Sequence, residues 1–267
     1  MNNEKDLADR AQKWSEVFKN RLAVFSVSFM PILFTVIPLV ILYSMRGSTD
    51  ISGLEAEFGG MMEQMQAFCG PLEGLACTQF VLLQQFMVLF LLMPTIIPVT
   101  LASYSIVGEK TMRTLEPLLA TPISTAQLLV GKMLAAAIPA LLASLFSFSL
   151  FAAGTAFLAA SPAVALRLFS PIWMIGIFVV GPLLSLAGVN LAVMISSRVN
   201  DPRTAEQFSA LIILPVMAVF VGQLLGAVIV NQAFLLAIAG ALIAVDAALI
   251  YFSTRLFQRE TILTRWR

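Results

Sequence analysis

The chain has 267 residues, 59% of them hydrophobic and only 12% charged, with a net charge of +1. A soluble domain of this length needs more charge to cover its surface, and uncharged runs of about 18 or more residues point to membrane-spanning helices. Histidine is absent and cysteine occurs twice, which excludes HExxH zinc sites, Ser–His catalytic pairs, bis-histidine haem and metal clusters, while a charge near zero gives no reason to expect nucleic acid.

Residues 3–21 are polar but patterned. Leu7, Ala11, Trp14 and Phe18 recur on one face of a helix, as expected of an amphipathic element lying in the headgroup region with Trp14 at the interface. A solvated cytosolic helix is the plainer reading of the same residues. The long, acid-containing start argues against a cleaved signal peptide.

Six apolar spans follow, at about 22–45, 79–107, 125–159, 171–197, 203–230 and 233–257. The fold class expected is all-α and integral to the membrane, a single six-span domain over 22–257 with a tail at 258–267. Residues 46–78 form a polar loop with five acids, Asp50, Glu55, Glu57, Glu63 and Glu73. Pro94 and Pro98 interrupt the hydrogen-bond ladder of the second span and suggest kinks, as structural bends or as hinges. Asn231-Gln232 is the only polar break between the last two spans and is expected to turn a tight hairpin. Helix starts repeat one device: Ser161-Pro162, Ser170-Pro171 and Asp201-Pro202 each put a capping residue before a proline suited to the first helical turn. Ser161-Pro162 suggests a short extra helix before the fourth span.

Sixteen lysines and arginines occur. With both termini in the cytoplasm, only Arg46 and Arg167 fall outside, so the positive-inside rule fixes the orientation and favours an even number of spans. The 46–78 loop then lies outside. There Cys69 and Cys77, eight apart in CGPLEGLAC, are able to close a small disulfide loop, the alternative being two free thiols.

Residues 108–124, GEKTMRTLEPLLATPIS, form a charged island between the second and third spans. On a helix Glu109 pairs with Arg113 and Arg113 with Glu116, while Met112, Leu115 and Leu119 fall on another side. Such an element is either a mechanical handle bonded to two spans or an ordinary connector. The longer stretch VGEKTMRTLEPLLATPISTAQLLVGK, residues 107–132, resembles the signature of type-2 ABC-transporter permeases through Glu109-Lys110, Thr114-Leu115-Glu116, Leu118 to Pro122, Ser124 and Gly131-Lys132. DPRTAEQFSALIILP, residues 201–215, is similar to that family's entry into the fifth span.

The resemblance implies a permease subunit of an ATP-driven exporter or flippase in the inner or plasma membrane, doing no covalent chemistry itself. It implies pairing with a second permease subunit, identical or homologous, and with two ATPase subunits that bind ATP and Mg, since no GxxxxGK[ST] loop occurs here. Glu109, Lys110, Arg113, Thr114 and Glu116 would form the ATPase-coupling helix, with Asp201 and Arg203 as a second cytosolic contact.

Within the spans, Asp246 has no other charge near it. It lines a pathway, pairs with the second subunit, sits protonated in a packed interface, or only fixes helix packing. Gln84, Gln85, Asn190 and Gln223 are weaker pathway or interface candidates, single amides more often serving interhelical hydrogen bonds. The competing function is a self-sufficient secondary transporter or channel, but the two halves show no matching repeat. A lone Asp246 cannot form an aspartyl dyad, so an intramembrane protease is set aside.

Overall fold

A computed structural model describes residues 21–45, 69–72, 74–111, 125–199 and 201–256. The described residues are helical, without strands: α1 Arg21–Met45, α2 Gly74–Phe90, α3 Met93–Thr111, α4 Thr125–Leu158, α5 Pro162–Arg167, α6 Pro171–Ile175, a π-helical segment Gly176–Val180, α7 Gly181–Ser196, α8 Pro202–Ser209, a 3-10 turn Ala210–Ile212, α9 Ile213–Leu224 and α10 Gln232–Leu256. They compose six stretches long and apolar enough to cross a membrane, from Ser28–Met45 to Gln232–Ser253. The protein is therefore an all-α, multi-pass membrane protein. The expected amphipathic helix before residue 21, the loop at 46–68 and the tail from 258 lie outside the described residues.

The second span (α2 and α3) is the centre of the bundle. In its most apolar stretch 83% of the residues are buried, against 17% in that of the fifth span (α8 and α9) and of the sixth (α10). Its inner portion α3 packs most extensively on α7, and also on α4 and α8; α1 lies along α4, and α10 along α7. An all-round apolar helix in a bundle has no solvated face to mark, so burial rather than periodicity separates central from peripheral helices.

The second span is not one helix. Leu91 N–H is shared between the Met87 and Val88 carbonyls, Leu92 N–H reaches back only to Leu89, and Thr95 N–H only to Leu92. Pro94 has no N–H for the Phe90 carbonyl, so the turn tightens there and α3 restarts with Pro94 in its first turn. The Thr95 hydroxyl donates to the Leu91 carbonyl at 2.8 Å, in place of the backbone rung.

The fifth span ends earlier than the sequence suggests. Gly226, with φ +69°, closes a Schellman turn: its N–H bonds the Gln223 carbonyl and the next N–H bonds Gly222. The link to α10 is residues 225–231, not a tight turn at Asn231-Gln232. Asn231 instead caps α10, its Oδ1 accepting from Phe234 N–H at 2.8 Å. The helix predicted at Ser161-Pro162 is α5, with Ser161 Oγ accepting from Ala163 N–H. Ser170 stands at the cap position of α6 but makes no side-chain cap bond.

Candidate functional site

Because the chain reverses at each connection, one end of the bundle carries the starts of α2, α6 and α10. The other carries the end of α3 and the starts of α4 and α8. Glu109 and Lys110 fall on the last turn of α3, at that second end. Arg113, Thr114 and Glu116 lie outside the described residues. At the same end of the bundle Asp201 caps α8: its Oδ2 accepts from the backbone N–H and the hydroxyl of Thr204, each at 2.9 Å. Those two bonds, the backbone one foremost, hold the Asp201 carboxyl below the usual carboxylate range. Arg203 follows in the same helix. A residue the sequence reading passed over completes the link. The Thr100 hydroxyl of α3 donates to Glu206 Oε1 of α8 at 2.6 Å, so α8 and the helix that runs into the 108–124 segment are joined by a side-chain hydrogen bond.

At the opposite end Cys69 and Cys77 are joined as a disulfide, with Cα atoms 5.4 Å apart. Gly70 and Gly74 adopt positive φ within the loop, which turns the chain into α2. The loop is held from outside as well. Arg167, the last residue of α5, donates from Nη2 to the Cys69 carbonyl at 3.3 Å and lies 5.6 Å from the centre of the Phe80 ring. A Cβ on Gly70 would stand 2.8 Å from that nitrogen. Gln79 Oε1 accepts from Ala160 N–H at 2.7 Å. The start of the second span, the residues just after the third span and α5 are tied together by these contacts.

In the interior, Asp246 lies on the narrow buried stripe of α10 with Leu235, Ala239 and Ser253. That helix packs on the fourth span. Neither carboxyl oxygen has a hydrogen-bond partner among the described residues. The exposed side of α10, with Leu236, Ile243, Val245 and Ile250, is apolar, so the carboxyl is covered by its own subunit rather than displayed on the outer face. Asn190 donates to the Leu186 carbonyl at 3.0 Å, the bond of a helix amide packing on its own turn, while its Oδ1 is buried without a partner. Gln84 Nε2 lies 4.0 Å from Met87 Sδ; it and Gln85 are buried because the whole second span is. Gln223, in α9, is buried with neither amide atom bonded. These candidates therefore stand on four different spans. Of the phenylalanines in the third span, Phe148 and Phe151 are buried in the core and Phe146 and Phe157 are exposed. Among the described residues no group of three or more His, Cys, Asp or Glu is placed to hold a metal ion.

A family model described as ABC-2 family transporter protein matches residues 11–260. The chain belongs to that family. As an ABC-2 family protein with six apolar spans it is a membrane transport subunit, a permease rather than a catalyst. No curated protein is significantly similar to it.

Proposed function

We propose that this chain is the permease subunit of an ATP-driven exporter or flippase. It pairs with a second permease subunit and is driven by two ATPase subunits that bind ATP and Mg. The observation that carries the reading is the family match over nearly the whole chain, joined to the charged Glu109-to-Glu116 segment between two spans. In this account both termini and the 108–124 segment face the cytoplasm of an inner or plasma membrane, and the disulfide loop faces outside, where oxidation is permitted. Residues Glu109, Lys110, Arg113, Thr114 and Glu116 dock on the ATPase, with Asp201 and Arg203 as a second contact. Nucleotide-driven closure of the ATPases pulls on the second and third spans together. The Thr100–Glu206 bond supports transmission of that pull to the fifth span.

Asp246 is the interior residue assigned to the transport pathway. A carboxyl buried in a span without a partner costs about 2.5–3.5 kcal/mol on insertion scales, a cost that a purely structural residue would not require. Asp246→Asn is expected to assemble normally and to transport less; equal transport would remove the assignment.

The reading is tested by affinity purification from the native membrane. An ATPase subunit is expected to co-purify, and ATP turnover stimulated by the permease is expected to disappear in Glu109→Ala and Arg113→Ala. A chain that transports in proteoliposomes without any ATPase would instead be a secondary transporter or channel.

A further inference from the structure

The second span contains a directional weakness. Pro94 cannot donate to the Phe90 carbonyl, and Pro98 cannot donate to the Pro94 carbonyl. Residues 90, 94 and 98 are four apart, so both missing rungs lie on one side of the helix, and bending about that side breaks no further bond. The turn at Leu91–Leu92, already tightened to three-residue bonds, starts this segment.

The packing changes at the same level. Phe90, Leu91, Leu92, Met93 and Ile97 belong to the core of the disulfide end. Val99 and Ala102 belong to a second core with Ala136, Ala137, Val189 and Ala192, and Leu101 touches both cores. Pro98 falls on the boundary.

The helix against which the segment lies offers little to catch on. A Cβ at Gly181 of the fourth span would stand 3.5 Å from the Pro94 ring, and one at Gly188 would stand 3.2 Å from the Thr95 carbonyl and 3.0 Å from Val99. Between its two halves the fourth span is itself loosened, being π-helical over Gly176–Val180. By contrast α2 is fixed at its start by the Cys69–Cys77 bond, Arg167 and the Gln79–Ala160 bond.

We propose that residues 91–98 are a hinge. The part of α3 beyond it, residues 99–111, swings as a unit, while α2 stays fixed in a block with α5 and the disulfide-side ends of the third and fourth spans. The hinge deepens the coupling proposed above but does not depend on it, because bending is a property of the chain itself.

The test uses nitroxide pairs in the full chain, purified with its partner subunits. One pair spans the hinge, on the exposed Ser105 and Leu166; the control pair, on Leu75 and Phe169, stays within the block. The double variant Pro94→Ala, Pro98→Ala restores both donors and favours a helix, so it is expected to fold. On adding ATP under conditions that arrest hydrolysis, the 105–166 distance is expected to shift and the 75–169 distance to stay. The double variant is expected to lose at least about half of the shift. The hinge is overturned if the variant keeps the full shift, if both pairs move, or if ATP is bound and neither moves. Should no ATPase accompany the chain, the coupling reading fails by itself. The hinge is then read from the 105–166 distribution of the chain alone, expected to be broader in the natural sequence than in the variant; equal widths overturn it.

Discussion

Toward the disulfide end the core is made of interlocked rings and a covalent loop; toward the 108–124 end it is mostly alanine and valine, with Met133. In the first region Trp173 stacks on Phe148 at 5.8 Å, and Phe90 meets Phe151 at 4.9 Å and Trp173 at 6.2 Å. The four rings come from the second, third and fourth spans, so none of these spans moves there without unpacking the others. In the second region Ala102, Ala136, Ala137 and Ala192 bring the backbones close with small side chains, and the Thr100–Glu206 bond joins α3 to α8. Lipid tails are as apolar as leucine, so neither region gains from a hydrophobic drive between helices; packing and hydrogen bonds decide which is stiffer. The contrast suits a membrane subunit pulled from one end.

The sharpest way to break the comparison is to empty the ring cluster. Trp173→Ala is expected to cost about 3–5 kcal/mol and to lower the thermal midpoint in detergent more than any single substitution in the alanine-rich core. If Val193→Ala, fully buried on the other side, costs as much, the two halves are equally stiff. Next comes the loop: Cys69→Ser with Cys77→Ser is expected to lose about 2–3 kcal/mol. Reductant is expected to lower the natural protein's midpoint by a similar amount and to leave the double variant unchanged. Thr100→Val, which keeps the shape and removes the donor to Glu206, is expected to cost about 0.5–1.5 kcal/mol. In the coupled complex it should also weaken the response of the fifth span to ATP, read by a label on the exposed Leu214.

The smallest effect concerns pH. The folded-state pKa of Asp201 is depressed by the Thr204 bonds, so its contribution is present above the ordinary carboxylate range and is lost as pH falls through the folded value. The midpoint difference between the natural protein and Asp201→Ala is therefore expected to be present at neutral pH and to shrink below about pH 4. A difference that grows on acidification would contradict that cap.

Much of this architecture was legible in the sequence. Charge-free runs gave six spans, and the Asp201-Pro202 and Ser161-Pro162 starts follow from capping chemistry that acts within four residues. The eight-residue spacing of Cys69 and Cys77 left both a bond and free thiols open. What was not legible depends on neighbours. Helices apolar on every side carry no period to show that the second span is central or that Asp246 faces the fourth. Arg167 read only as a stray external cation, because its partner, the Cys69 carbonyl, is a backbone atom held in place by the loop. The bond from Thr100 to Glu206 joins residues 106 apart. Gly226 was a usable signal for the end of the fifth span, hidden by the apolar residues that follow it. The proposed coupling role of Arg113, Thr114 and Glu116 rests on the sequence alone, since these positions lie outside the described residues.

In the proposed arrangement residues 108–124 face the compartment that supplies ATP to a partner. Its most direct measurement is labelling of Met112→Cys with a membrane-impermeant maleimide, in cells where the native cysteines remain bonded to each other. The account expects no labelling in intact cells and full labelling once the membrane is permeabilised. Labelling of intact cells would put the segment on the far side of the membrane and contradict the account.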